Sequence, residues 1–137
     1  MSIKLENLNI DLIDLNGTTT PELFINKTGI SFSRKAIELL NFPAYVQYGI
    51  DPQNLIFSIK ACKQSDKKAA TFVKNRSNIA NTLFVTNKNL YSILINTIPD
   101  INTDIRYKIN GEFISSHRQI LFDLSYPVIC ELRHKNL

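Results

Sequence analysis

The chain has little of the material from which enzymes and metal sites are usually built. Of its 137 residues two are cysteine, two histidine and four glycine. Cys62 and Cys130 are too far apart for a CxxC redox or zinc pattern, and neither lies near a histidine pair, so small buried or half-buried thiols are expected. Gly17, Gly29, Gly49 and Gly111 are isolated, which excludes a glycine-rich phosphate loop. His117 and His134 have no acid or nucleophile at informative spacing, and each is expected on a surface loop or tail rather than as a base. Asp11 with Asp14, and Asp100 with Asp104, are paired only in sequence and suit capping or turn roles. The expectation is a protein that is not an enzyme and uses neither metal nor cofactor.

Long hydrophobic runs are also missing. No apolar stretch approaches the ~18 residues that span a bilayer, and no basic, apolar N-terminal run ends in a small-residue cleavage site. A cytoplasmic protein with reduced thiols and no membrane partner is therefore expected. What the chain does have is 44% hydrophobic residues, enough for a real core, and a net charge of +4 with a pI near 9.1. This argues for one folded domain over 1–137 and against disorder. Mild basicity suits a nucleic acid, an acidic protein face or simple solubility.

The most informative stretch is Gly29 to Cys62. Ile30 and Phe32 alternate with Ser31 and Ser33 as a short strand. Ser33 is the natural N-cap of a helix whose apolar stripe is Ala36, Ile37, Leu39 and Leu40, with Asn41 as a left-handed cap and Pro43 preventing continuation. Two β-rich runs follow, Tyr45 to Ile50 and Leu55 to Ala61, joined by Asp51-Pro52-Gln53-Asn54 as a type I turn. Upstream, Ile3 to Leu15 alternates like a half-buried strand, 16–20 reads as a turn, and Leu23 to Asn26 as a second strand.

A weaker version of the same order recurs downstream. Leu83 to Val85 is a short strand, and Thr86 or Asn87 caps a helix over roughly Lys88 to Ile98 with Leu90, Leu94 and Ile98 on one face, ended by Pro99. Ile105, Tyr107 and Ile109 alternate with Arg106 and Lys108, Asn110-Gly111 offers a two-residue hairpin turn, and Glu112 to Ser115 and Gln119 to Leu124 supply return strands. The expected fold is thus α+β: two helix-plus-β-hairpin units packed in one small barrel-like domain. The first unit covers 20–62, a basic connector 63–81, and the second unit 82–137. The expected core is Phe32, Ile37, Leu40, Val46, Tyr48, Ile56, Leu90, Leu94, Ile105, Ile109, Leu121 and Phe122.

The connector region, from Lys60 to Arg76, holds six cations against Asp66 alone. It reads either as a solvated linker, with Ala69, Ala70, Phe72 and Val73 forming one helical turn, or as a phosphate- or partner-contacting patch. Gly29 to Ser33, the helix through Leu40 and the strand pair Tyr45 to Ala61 together resemble the swapped-hairpin β-barrel module of AbrB-like and MazE-like DNA-binding proteins. Ile30 stands where that family usually has arginine, and Ser33 where it has proline. The resemblance implies a small interlocked barrel that binds DNA through basic residues on loops and strand ends, with the second copy forming an internal pseudo-dimer.

The function expected on these grounds is a small non-enzymatic DNA-binding regulator of transcription. Lys27, Arg34, Lys35, Lys67, Lys68, Lys74 and Arg76 are its candidate contacts to phosphate or to a partner, and homodimerisation is compatible with it. The alternative is a phage or mobile-element inhibitor, for instance an anti-CRISPR, that binds a host nucleic-acid-acting complex through protein contacts.

Overall fold

The computed structural model describes residues 3–9, 20–75 and 81–130. In chain order the elements are β1 (Glu22–Ile25), β2 (Ile30–Ser33), α1 (Arg34–Leu39), β3 (Tyr45–Asp51), β4 (Ile56–Cys62), β5 (Ala70–Thr71), β6 (Thr82–Val85), α2 (Lys88–Thr97), β7 (Tyr107–Ile114), β8 (Gln119–Asp123) and β9 (Val128–Ile129). The strands make one antiparallel sheet in the order β5-β3-β4-β8-β7-β1-β2-β6, with β9 beside β7. The sheet curls into a half-barrel, so the expected pair of helix-plus-hairpin units is not what forms. The hairpins β3–β4 and β7–β8 join along β4 and β8, from Ile56 opposite Asp123 to Lys60 opposite Gln119. Hydrogen bonding between the two hairpins unites what the sequence order presents as separate modules.

Local signals account for the ends of α1. The Ser33 hydroxyl accepts from Ala36 N at 3.3 Å and also from Glu22 N at 2.9 Å, tying the helix start to β1. At the other end Asn41 takes φ 63° and Phe42 φ 49°. Asn41 N donates to Glu38 O and Phe42 N to Ile37 O, the paired bonds of a Schellman stop. The six residues of α1 are too few to be stable alone. Buried Ala36 and Ile37 hold it against the sheet. In α2, Asn87 is the cap, accepting from Leu90 N at 3.0 Å, and Leu90, Leu94 and Ile98 are buried as the periodicity predicts.

The β3–β4 turn forms where expected. Asp51 Oδ1 accepts from Asn54 N at 3.0 Å and Oδ2 from Asn54 Nδ2 at 2.7 Å. These bonds favour the ionised carboxylate and lower its pKa, the side-chain bond most. Leu55 completes the turn at φ 55° instead of opening the strand.

Several expectations are corrected. Leu5–Asn7 is a 3-10 turn with Ile3, Leu5 and Leu8 exposed, not the start of a half-buried strand; the remainder of that expected strand, 10–15, lies outside the described residues. Ala70–Thr71 is an edge strand on β3, and Phe72 N and Val73 N go on to donate to Ala44 O and Pro43 O, so no helical turn forms there. A short apolar run fits either periodicity, and here pairing with β3 decides. Ile56 and Leu121 are only half-buried, because Phe57 and Ile59, and Ile120 and Phe122, are the residues that face inward.

The largest correction concerns Asn110-Gly111, which is not a turn. Residues Tyr107–Ile114 form one continuous strand, paired with β1 through Asn110 and with β8 from Gly111. The turn comes later, at Ser115–His117 with Arg118 at φ 47°. Gly111 serves packing: a Cβ there would stand 2.6 Å from Ile120 Cγ2 and 2.7 Å from Phe122 Cε1.

The core fills the concave side of the sheet. Phe32 on β2 lies 6.4 Å from Tyr48, 6.5 Å from Phe57, 6.0 Å from Phe122 and 5.5 Å edge-on from Phe72, ring centre to ring centre. One side chain thus bridges the two halves of the curl.

Candidate functional site

Because the sheet is curled and not closed, its terminal strands have edges without a strand partner among the described residues. Among those residues β5 pairs only with β3, and β6 only with β2. Between these edges lies a cleft of ≈ 300 Å³, lined by residues 70–72 and 74 on one side, 83–87 on the other, and Tyr48. Ala70 and Thr71 belong to the first edge, Leu83 to Val85 to the second. The cleft therefore exists only because of the long-range order of the strands.

Three features give it chemical character. Tyr48 stacks on Phe57 at 6.0 Å, and its hydroxyl, without a hydrogen-bond partner among the described residues, is buried away from the open cleft. Burial pushes its pKa well above the ordinary phenol value, so the group stays a protonated donor. Phe84 is 46% exposed. A Cβ at Gly29 would come within 3.0 Å of the Phe84 ring, so the glycine makes room for that ring against β2. Among the described residues Lys74 is the one charged residue in the lining.

The basic segment frames the first edge. Lys63 N donates to Asp66 Oδ2 at 2.8 Å, Asp66 N to Lys63 O at 3.0 Å, and Ala69 N to Asp66 O at 3.2 Å. Gln47 Nε2 on β3 donates to Lys67 O at 2.7 Å and ties the loop to the sheet. Lys67 and Lys68 precede β5, Lys74 follows it, and all three are exposed. None of them makes an ion pair with a described residue. Asp66, the segment's acid, is used to shape the loop.

The other candidate cations are dispersed. Lys27, in the β1–β2 turn, has Nζ 3.7 Å from Asp104. Arg34 follows the other end of β2, with Nε 3.8 Å from Glu38 and its guanidinium 5.8 Å over the Phe42 ring. Lys35 is half-buried on α1, and Arg76 lies outside the described residues. Lys67 and Lys68 thus precede the edge strand β5 and Lys74 follows it, whereas Lys27 and Arg34 flank opposite ends of β2.

Cys62 and Cys130 are free and half-buried, and burial, with Asp66 adding to it, pushes the Cys62 thiol up. His117 is exposed in the β7–β8 turn beside the Ser116 hydroxyl, and His134 lies outside the described residues. Among the described residues no three His, Cys, Asp or Glu side chains converge as a metal site, and no helix is long and apolar enough to cross a membrane. Sequence reasoning missed Tyr48 and Phe84 as site residues. The available signal for Phe84 was an aromatic at the solvent-facing position between inward Leu83 and Val85.

No protein-family model matches the chain, and comparison with curated proteins and with solved structures gives no match either.

Proposed function

We propose that this is a small non-enzymatic nucleic-acid-binding protein of the DNA-binding regulator type, with Lys67, Lys68 and Lys74 as its principal phosphate contacts. The observation that carries this reading is their placement: three exposed cations without ion-pair partners among the described residues, on both sides of one edge strand. Such lysines can neutralise phosphates and release the counterions condensed on a polyphosphate, which is the main source of non-specific affinity. The AbrB-like pattern from Gly29 to Ala61 points the same way.

Reversing all three charges together, Lys67→Glu, Lys68→Glu and Lys74→Glu, should weaken DNA binding at every sequence tested. The slope of log K against log salt should flatten by about 0.9 for each duplex phosphate that is no longer neutralised, or about 0.7 on a single strand. Folding should survive, since exposed charges contribute little to stability. Unchanged affinity and slope would clear the segment of this role, and no DNA binding by the parent protein at low salt would remove the reading.

A second reading, an inhibitor that binds a nucleic-acid-acting complex through protein contacts, draws on a different surface. Tyr126, Val128 and Ile129 are exposed large apolar side chains at and before β9. Adjacent exposed apolar residues of this kind favour a protein partner.

A further inference from the structure

We infer that the convex face of the sheet, over β6, β2, β1 and the start of β7, receives the bases of a single strand, with the Phe84 ring as stacking platform and the Arg106 guanidinium, laid over Phe24, as the second contact. This rests on the nucleic-acid reading of the cationic segment and adds what that segment alone does not specify, namely the form of the nucleic acid.

Strand register places the two aromatic side chains. Leu23 and Ile25 on β1, Ile30 and Phe32 on β2, and Tyr107 and Ile109 on β7 are buried in the core, so the residues that alternate with them point outward. Phe84 stands opposite Ser31, Ser31 opposite Phe24, and Phe24 opposite Lys108, which sets the four in one row across the convex face. The two phenylalanines are therefore two strands apart, roughly 10 Å at the backbone. Ser31 between them is buried, and Gly29, beneath the Phe84 ring, has no side chain. The rings are the outermost groups of this part of the sheet, and Phe84 is 46% exposed.

Charge and composition choose the occupant. The Arg106 guanidinium lies 4.5 Å over the Phe24 ring. It is exposed and has no carboxylate partner among the described residues. Glu22, the acid that points outward from these strands, is already engaged by Lys108 Nζ at 3.3 Å. The face thus presents uncommitted positive charge beside an open aromatic ring, the combination by which single strands are held without sequence preference. A guanidinium plane, like an aromatic ring, accepts a stacked base. No leucine, isoleucine or valine points outward from β1, β2, β6 or the first half of β7, so the face lacks the aliphatic centre that would anchor a protein partner. A base in a duplex is already stacked on both sides, so only an unpaired base has a free face for Phe84.

The test uses the full chain and fluorescence anisotropy with a labelled 12-nucleotide single strand of mixed sequence, and with its duplex, at equal salt. The single strand should bind at least about tenfold more tightly. Phe84→Ala should weaken single-strand binding by about 5- to 150-fold, the loss of one base–aromatic stack, whereas Phe84→Tyr keeps a stacking ring and should bind like the parent. Neither change removes a charge, so the salt slope should stay the same. Arg106→Gln should weaken single-strand binding and flatten the slope of log K against log salt by up to about 0.7. It gives a reading even if Phe84→Ala proves unstable.

Duplex binding as tight as single-strand binding, with the Phe84 and Arg106 variants without effect, would overturn the convex-face site and leave the cationic segment standing. No binding of either probe would overturn both readings. A parent protein that sediments as a dimer, with Phe84→Ala monomeric and its oligonucleotide binding unchanged, would assign the face to a second copy of the chain and overturn the inference.

Discussion

Phe32→Ala is expected to lower stability by about 3–5 kcal/mol, the range for removing a buried aromatic side chain from a packed core. The reason is its position. Phe32 is fully buried and meets Tyr48, Phe57, Phe72 and Phe122, which come from β3, β4, β8 and the residue after β5. Its own strand pairs with β1 and β6, at the other end of the sheet order. The side chain is therefore an anchor by which the curl is held, and its loss opens a cavity that no single neighbour fills. Domains of this kind have total stabilities of about 5–15 kcal/mol, so the variant should unfold at a markedly lower denaturant midpoint. A loss below about 1 kcal/mol in urea unfolding would mean that the two halves of the sheet do not meet at Phe32.

Gly111→Ala should cost about 1–3 kcal/mol, the usual penalty of overpacking a core. The added methyl group would meet Ile120 Cγ2 at 2.6 Å and Phe122 Cε1 at 2.7 Å, and both residues are fully buried, so neither can move aside into solvent. Reduced chain entropy in the unfolded state, worth roughly 0.4–1 kcal/mol, offsets only part of this. A companion variant separates packing from turn chemistry. Asn110 is exposed in the middle of β7, so Asn110→Thr should change stability by no more than about 0.5 kcal/mol. A two-residue turn at Asn110-Gly111 would make that same change clearly destabilising, because both turn positions need positive φ. Chemical denaturation of the two variants side by side distinguishes the cases.

Features decided within a few residues were legible in the sequence. Ser33 as a cap, Asn41 as a left-handed stop, the Asp51 turn and the buried face of α2 all depend on backbone groups three or four positions away. Features decided by distant partners were not. Asn110-Gly111 carries a strong local turn signal, yet β1 and β8 pair along both parts of the strand that contains it, and the glycine answers a packing demand from Ile120 and Phe122. The phase of β4 was hidden because Ile56 and Phe57 are both apolar, and only the register with β8 shows which of them faces inward.

The candidate site shows the same division. Lys67, Lys68 and Lys74 were visible as a charge run, and the structure places them on either side of β5. The remaining candidates drew their apparent unity from nearness to the first helix, and they separate because Lys27 and Arg34 flank opposite ends of β2. The cleft itself could not be read, since residues 70–74 and 83–87 meet only through the order of all the strands between them.

The most direct test of a nucleic-acid site around β5 is amide chemical-shift mapping of the full chain titrated with a short DNA oligonucleotide. The perturbed amides should cluster at Lys67, Lys68 and 70–74, with those of β9 unchanged. Perturbation centred on Tyr126, Val128 and Ile129, or no perturbation at low salt, would contradict it.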